Sequence, residues 1–545
     1  MKKIKLTIGL LSAMAVVSCT DLAVKEKDSV VIQTSTGSFQ GVDPVATLSS
    51  GYADIRDFGN QADMYSLLEI SSDELLCPTR GTDWGDNGVW RSVQQHTWDA
   101  NHAHVLNAWN NLNSHIFKMN QLLDPASKAS AGQIAEGKFL RAYNMFLLFD
   151  LFRQIPNRAA TDSPLSNPEV MTGQTAIDFI AKDLTDALPN LPAIGPKPNS
   201  ATLHASQAAA NFLLAKLYLN KFVYLNAPSP DAADMNKVIA AVDAITAAGF
   251  SLETTRSYFE IFLPSDDTET IYWTDTGNGN RMWAGLHYYQ ITPDNTGGGW
   301  NGFATTADFY NKFSGPGNTN APGSGQELRR GFVPQSDPMV GDLASYNGSS
   351  AKYKWPKIQS EPIINKQTYG LGYGFLVGQQ FDSTGNALKD RGGNPLVYSA
   401  SYPGLTGNDE KTGIRVLKYH PSNGGFVNHE VLFRYPDALL MKAEAILRGG
   451  TGTNGDTPTL LVDALRTNQA RLAGSLGHAP TLKDILDERG RELYIEGWRR
   501  NDQIRFGTFT TITQTMPNDA AYTTVFPIPT NAIASNPNLK QNTGY

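Results

Sequence analysis

Two cysteines in 545 residues leave almost no covalent framework for this chain. Cys19 closes an apolar leader, so Cys77 has no partner. No disulfide is expected, even in a compartment that permits one. Cys77 is expected to serve as a small buried hydrophobe rather than as a thiol nucleophile. Blocks of one charge are missing too. The 45 Lys and Arg are scattered among 52 Asp and Glu, for a net charge of −7. A nucleic-acid partner would need a basic stripe, and none is present. Beyond the leader no run reaches the ~18 apolar residues that a bilayer span requires. There is no G-x-S-x-G, no P-loop and no dinucleotide fingerprint. No cofactor is expected. His96, His102 and His104 cluster, but an H-x-H without a further acidic or Cys ligand at fitting spacing is a poor metal set. The stretch "DTGNGNR" has the composition of a calcium loop without the EF-hand spacing or its closing Glu. No metal is expected.

What is present begins at the N-terminus. "MKKIK" is a basic lead-in, "LTIGLLSAMAVV" is an apolar segment too short to span, and "VVSC" places Cys19 where a bacterial lipoprotein signal places its cysteine. Residues 1–18 therefore read as a lipoprotein signal peptide. Residues 19–45 read as a polar tether, lipidated at Cys19 and anchoring the chain to a membrane. Residues 46–545 read as a single domain. From about 100 to 250 the periodicity is helical. In "FLRAYNMFLLFDLF" the spacing of Leu140, Tyr143, Leu147 and Leu151 lines one helix face. Ala208, Ala209 and Ala215 would let neighbouring helices approach. The fold class is mainly α, with helix pairs that resemble tetratricopeptide hairpins, although no clean 34-residue repeat can be read. Residues 251–430 change character, to Gly, Pro, Asn and aromatics in loops such as "DNTGGGWNG". The scaffold, about 46–250 and 430–545, thus carries a loop-rich insertion.

The stretch "ERGRELYIEGWRR", residues 488–500, poses the sharpest question. Paired carboxylates could serve acid/base catalysis, or they could belong to an ion-pair lattice. If 482–500 is one helix, Leu486, Gly490, Leu493 and Gly497 share a stripe, and the glycines suit a close helix crossing. Glu488, Glu492 and Glu496 then form a second stripe. Arg489, Arg491, Arg499 and Arg500 stand three or four residues away and can compensate. Carboxylates matched to guanidiniums have lowered pKa values, the wrong direction for a general acid. The stretch is expected to hold the fold.

Ligand chemistry points to two loops. "SSDELLCPTRGTDWGDNGVW" combines Trp84 and Trp90 with Asp73, Arg80, Asp83, Asp86 and Asn87. "GNRMWAGLHYYQ" and "DNTGGGWNGF" supply Trp283, Tyr288, Tyr289 and Trp300. Sugars present apolar C–H faces and hydroxyl rims, so their sites pair aromatic platforms with planar hydrogen-bonding groups. Core tryptophans beside a capped turn are the plainer alternative. Tyr288 and Tyr289 are adjacent, so in an extended segment only one faces the site. Trp98, Trp109, Trp273 and Trp498 are expected in the core.

The "VVSC" lipobox, "VLFRYPDALLMKAEAIL", "ERGRELYIEGWRRNDQIRFG" and "VFPIPTNAIASNPNLKQNTGY" together resemble the SusD/RagB family of outer-membrane lipoproteins from Bacteroidetes. The resemblance spans essentially the whole chain. It implies a tetratricopeptide-like scaffold with a loop-rich ligand face, exposure at the cell surface, and a SusC-like TonB-dependent outer-membrane transporter as partner. It implies glycan binding without cleavage, with Asp73 and Arg80 at the polar edge of the site. The acidic residues Asp21, Glu26 and Asp28 fit a surface-directing signal. A neutral glucan is the preferred cargo, since an anionic polysaccharide would favour a basic groove. Peptide or glycopeptide cargo on the same scaffold is the alternative. A surface glycoside hydrolase is a third reading, for which Asp83 and Asp86 are the candidate carboxylate pair.

Overall fold

Helical hairpins dominate the computed structural model, which describes residues 39–163, 165–196, 202–256, 258–262, 266–275, 285–290, 299–315, 326–332, 373–380, 387–419 and 429–545. The leader with Cys19, nearly all of the tether, the "DTGNGNR" stretch beyond Asp275, and Trp283 lie outside these residues. Gly41–Tyr545 forms one unit. Helix α1 (Pro44–Asp54) opens inside the expected tether. Asp43 caps it by accepting from the Val45 and Ala46 amides, and Pro44 stands at its first turn.

The short helix α2 (Val89–Gln94) leads into α3 (Ala103–Leu123), which pairs with α4 (Ala131–Phe152). Ser130 and Gln133 form a capping box that starts α4. The stripe of Leu140, Tyr143, Leu147 and Leu151 is buried, and so are its neighbours from Ala142 to Phe152. A helix apolar all round belongs inside the protein, so α4 is the central element. It packs against α1, α3 and α5 (Gly173–Ala187). Helices α6 (Gln207–Tyr224) and α7 (Ala232–Ala247) form the next hairpin, with Ala208, Ala209 and Ala215 buried in it. The one-turn helix α8 (Ala307–Tyr310) lies in the loop-rich stretch. Helix α9 (Tyr435–Leu447) packs on α7, and α10 (Pro458–Thr467) and α11 (Leu482–Leu493) pack on α9.

Strands are short. β1 (Gln154–Asn157) pairs with β2 (Glu169–Thr172). β3 (Thr270–Thr274) and β9 (Glu430–Arg434) run antiparallel with Thr270 opposite Arg434, so the loop-rich stretch leaves and rejoins the scaffold at one place. Within it, β4 (Gly331–Phe332), β5 (Tyr373–Leu376) and β8 (Arg415–Leu417) form one small sheet. β6 (Gly378–Gln379) and β7 (Val397–Tyr398) form another. Trp98, Trp109 and Trp498 are buried and Cys77 is fully enclosed, which raises its thiol pKa. Trp273 lies in β3 and is only partly buried.

The charged stretch corrects one expectation and fills out another. Residues 482–500 are not a single helix. Helix α11 ends at Leu493, the chain turns through Ile495 (φ 54°) and Gly497 (φ 83°), and α12 (Arg499–Arg505) begins afresh. Gly497 therefore serves a turn: a Cβ there would lie 2.3 Å from the Phe58 ring. At Gly490 the close neighbours are the Arg499 guanidinium and the Phe309 ring, not a crossing helix backbone. Of the local pairs expected, Glu488 with Arg491 forms, at 2.6 Å. Arg489 instead joins Asp437 and Asp502, and Glu496 joins Lys418 and Arg434. Glu492 meets Arg329, Arg434 and Arg471 at 2.7–3.0 Å, all four side chains being fully buried. Burial alone would raise the carboxyl pKa values, but the arginines outweigh it. They bring Glu488 to about 2 and hold Glu492 well below the ordinary range. The helix-period pairing fails because the arginines reach across to other segments, where burial makes each contact stronger. Short helix α13 (Thr530–Ser535) follows near the C-terminus.

Candidate functional site

Residues 71–90 fold against the segment around Trp300 as an antiparallel ladder. Leu76 and Ala304 exchange backbone hydrogen bonds at 2.9 Å, and Thr305 donates its hydroxyl to the Glu74 carbonyl. At the ladder's outer end Arg80 and Asp83 close a tight turn through reciprocal 2.9 Å bonds. Trp84, Asp86 and Asn87 then adopt positive φ, a conformation costly for residues other than Gly. The turn sends the Trp84 indole back over the ladder, where its Nε1–H donates to the Trp300 carbonyl at 2.7 Å.

An aromatic surface results. Trp84 stands edge-on to Trp90 at 5.2 Å and lies 5.7 Å from Phe303, while Trp300 and Tyr289 are each 42% exposed. Residues 285–290 come alongside because the Gly299 amide donates to the His287 carbonyl and Asn301 to Leu286. The segment turns instead of extending. Tyr289 faces solvent, and Tyr288 tips inward to donate its hydroxyl to Asp83 at 2.5 Å.

A polar edge borders this surface, built from residues the sequence reading missed. Arg391 donates to Asp83 at 2.9 Å and to Glu410, and its guanidinium lies 4.4 Å over the Tyr288 ring. His287 approaches Glu410 at 3.0 Å. The bond from Tyr288, and then that from Arg391, hold the Asp83 carboxyl below its usual range. Burial lowers the His287 pKa although Glu410 opposes it, which disfavours the charged imidazole. Arg391 and Glu410 sit in the turn-rich "KDRGGNP" and "GNDEKTG" stretches, whose only signal was charge among turn residues.

Several expected site residues lie elsewhere. Arg80 is only 2% exposed, with its guanidinium on the carbonyls of Asp409 and Gly302, so it braces the ladder and does not reach a rim. Asp73 is held by both carboxylate oxygens on Arg499, at 2.6 and 2.8 Å, at the ladder's other end. Trp90 is 5% exposed beneath Trp84, bonded to Asp86, and is core. Asn87 is exposed beside the platform. The three clustered histidines each take a different partner: Ser71 for His96, Val89 and Ser92 for His102, Ser66 for His104. Among the described residues no group of three or more His, Cys, Asp or Glu is placed to hold a metal ion. No described helix is long and apolar enough to cross a membrane.

Comparison with known proteins bears on this arrangement. Residues 268–545 match the model of the SusD family, and residues 64–219 match one described as starch-binding associating with outer membrane. The starch-binding protein SusD of Bacteroides thetaiotaomicron is 24% identical over 526 residues, covering 88% of this chain and 85% of that protein. Among solved structures, surface glycan-binding protein A from Bacteroides fluxus superposes with a TM-score of 0.62 at 18% identity, covering 92% of this chain and 99% of that one. The corresponding protein from Bacteroides thetaiotaomicron, solved in complex with laminarihexaose, gives 0.58 at 18% identity, covering 92% and 98%.

Proposed function

Because this chain belongs to the SusD family, we propose that it is a non-catalytic, surface-exposed lipoprotein that captures a neutral glucan and passes it to a SusC-like TonB-dependent transporter. The observation that carries this reading is the platform of Trp84, Trp300 and Tyr289, bordered by Asp83, Asn87 and Arg391. Exposed rings offer stacking to the C–H faces of a sugar, and the border offers donors and acceptors to its hydroxyls. Asp83, Asp86 and Glu410 outnumber Arg391 there, a balance that disfavours anionic polysaccharides and suits a neutral one. Relatives named for binding starch and crystallised with laminarihexaose point to glucose polymers as cargo. Anchoring through Cys19 and delivery to the transporter rest on the lipobox and on the family resemblance.

The hydrolase alternative is weakened by the state of its two carboxylates. Asp83 is engaged by Tyr288 and Arg391, which favour its ionised form, and Asp86 accepts from Trp90 at 2.7 Å. Asp83 is therefore not poised to give a proton to a leaving group. Affinity gel electrophoresis against a panel of starch, laminarin, xylan and an anionic pectin tests the reading. Retardation by a glucan and none by pectin is expected. Retardation by pectin alone, or none by any glycan together with binding of a peptide, would overturn it.

A further inference from the structure

The ladder that carries the aromatic platform has a second feature at its inner end. There an open pocket of about 250 Å³ is lined by Asp73, Phe309, Lys312, Tyr402, Gln514 and Thr515 with their neighbours. It lies below the roughly 300–1,000 Å³ of pockets for drug-sized ligands, so it suits one small molecule. Every lining segment comes from a different part of the chain, and each is anchored. Asp73 is fixed by Arg499, residues 306–312 by the capped helix α8, and Gln514 by its bond to the Tyr402 carbonyl.

The polar groups define the ligand. Lys312 Nζ stands 3.8 Å from Asp73 and 3.6 Å from Asp487, beyond direct hydrogen-bond distance, which leaves its N–H groups open to an acceptor in the cavity. Each Asp73 oxygen takes one bond from Arg499 and keeps acceptor capacity for a hydroxyl. The Thr515 hydroxyl and the Gln514 amide add groups that both donate and accept. Asp73 is paired with Arg499 and Asp487 with Lys483, which leaves Asp308 against Lys312, so the charge about the cavity balances and suits a neutral ligand. The partly buried Tyr402 ring provides an apolar face. This combination calls for a small, neutral, many-hydroxyl ligand.

We propose that this cavity is a second saccharide subsite, taking one neutral sugar residue at the opposite end of the ladder from the platform. The proposal rests on the glycan-binding reading above. Trp300 and Thr306 are six residues apart along the ladder, at most about 20 Å at ~3.3 Å per residue.

Saturation-transfer NMR on the mature chain, with D-glucose, D-galactose and D-mannose as probes, tests this. At least one sugar should give a saturable signal that persists in Trp300→Ala. Lys312→Met and Gln514→Ala, with unchanged melting temperatures, should each weaken that signal at least fivefold. The proposal is overturned if no sugar binds the parent chain, if Trp300→Ala abolishes the signal, or if neither cavity substitution weakens it. Titration of laminarihexaose against the parent and Trp300→Ala reports on the platform separately, so failure of the subsite and failure of the glycan reading give different results.

Discussion

Trp84 and Trp300, 216 residues apart, are joined by a single hydrogen bond from one indole to the other's backbone carbonyl. The bond fixes the Trp84 ring against the backbone that carries Trp300 before a ligand arrives. Pre-organisation of this kind reduces the ordering that binding would otherwise require.

Trp300→Ala should weaken glucan binding by about 0.5–1.5 kcal/mol beyond the loss of buried area, by analogy with aromatic pairs. Trp84→Phe keeps a ring but removes the donor. It should cost stability of the order of one hydrogen bond, about 1 kcal/mol, should weaken glucan binding by less than that, and should speed hydrogen exchange at the Asn301 amide. Titration calorimetry and exchange mass spectrometry read the two effects. Parental affinity in both variants would place the cargo elsewhere.

Glu492→Gln removes a charge shared by Arg329, Arg434 and Arg471. Uncompensated buried charge costs about 3–5 kcal/mol, so the melting temperature should fall by several degrees. Glucan affinity below the transition should remain that of the parent, because the lattice lies apart from the platform. Lost affinity in a folded variant would give the lattice a role in binding.

Acid should dismantle the lattice over a defined window. Glu488 is depressed to about 2 and Glu492 is also lowered, against about 4.3 when unfolded. Their stabilisation is complete above pH ~4.3 and is lost as pH falls through the folded values. Burial raises Asp63 to about 7, so its contribution is present below pH ~4 and is lost as pH rises through 7. Asp63→Asn should therefore stabilise the protein at pH 8 more than at pH 5. Urea unfolding at both values measures the difference, and an equal effect at each would contradict the assignment.

Cys19→Ala should shift the protein from the membrane fraction to the soluble one while leaving its circular dichroism unchanged. Continued membrane association would refute the lipid anchor.

The helices were legible because periodicity is local. The stripe of Leu140, Tyr143, Leu147 and Leu151 declares itself within a few turns. The break after Leu493 was not legible. Glu69 and Glu74 reach in from distant sequence to accept the Gly497 and Ile495 amides, and they hold a turn that local propensity does not require. The site followed the same divide. Aromatic residues in glycine-rich loops marked Trp300 as a surface ring, but they marked Trp84, Trp90 and both Tyr288 and Tyr289 equally, of which Trp90 is core and Trp84 half-buried. Arg80 and Asp73 look equally available in sequence, yet the carbonyls of Asp409 and Gly302 bury the first and Arg499 occupies the second. Arg391 could not be found, because its meaning depends on Asp83, 308 residues away.

The pairing of Thr270 with Arg434 closes a long excursion of chain at its base, and Glu269, Arg329 and Lys418 tie that base into the buried lattice. The entropy of closing a loop rises only with the logarithm of its length, about 0.6 kcal/mol per doubling. Insertions and deletions in the exposed turns between these fixed points are therefore thermodynamically cheap, while Phe303, Phe309 and Phe375 hold the rest of the stretch to the core. Descent with modification can redraw the cargo preference of such a protein while the helices beneath inherit the same seat.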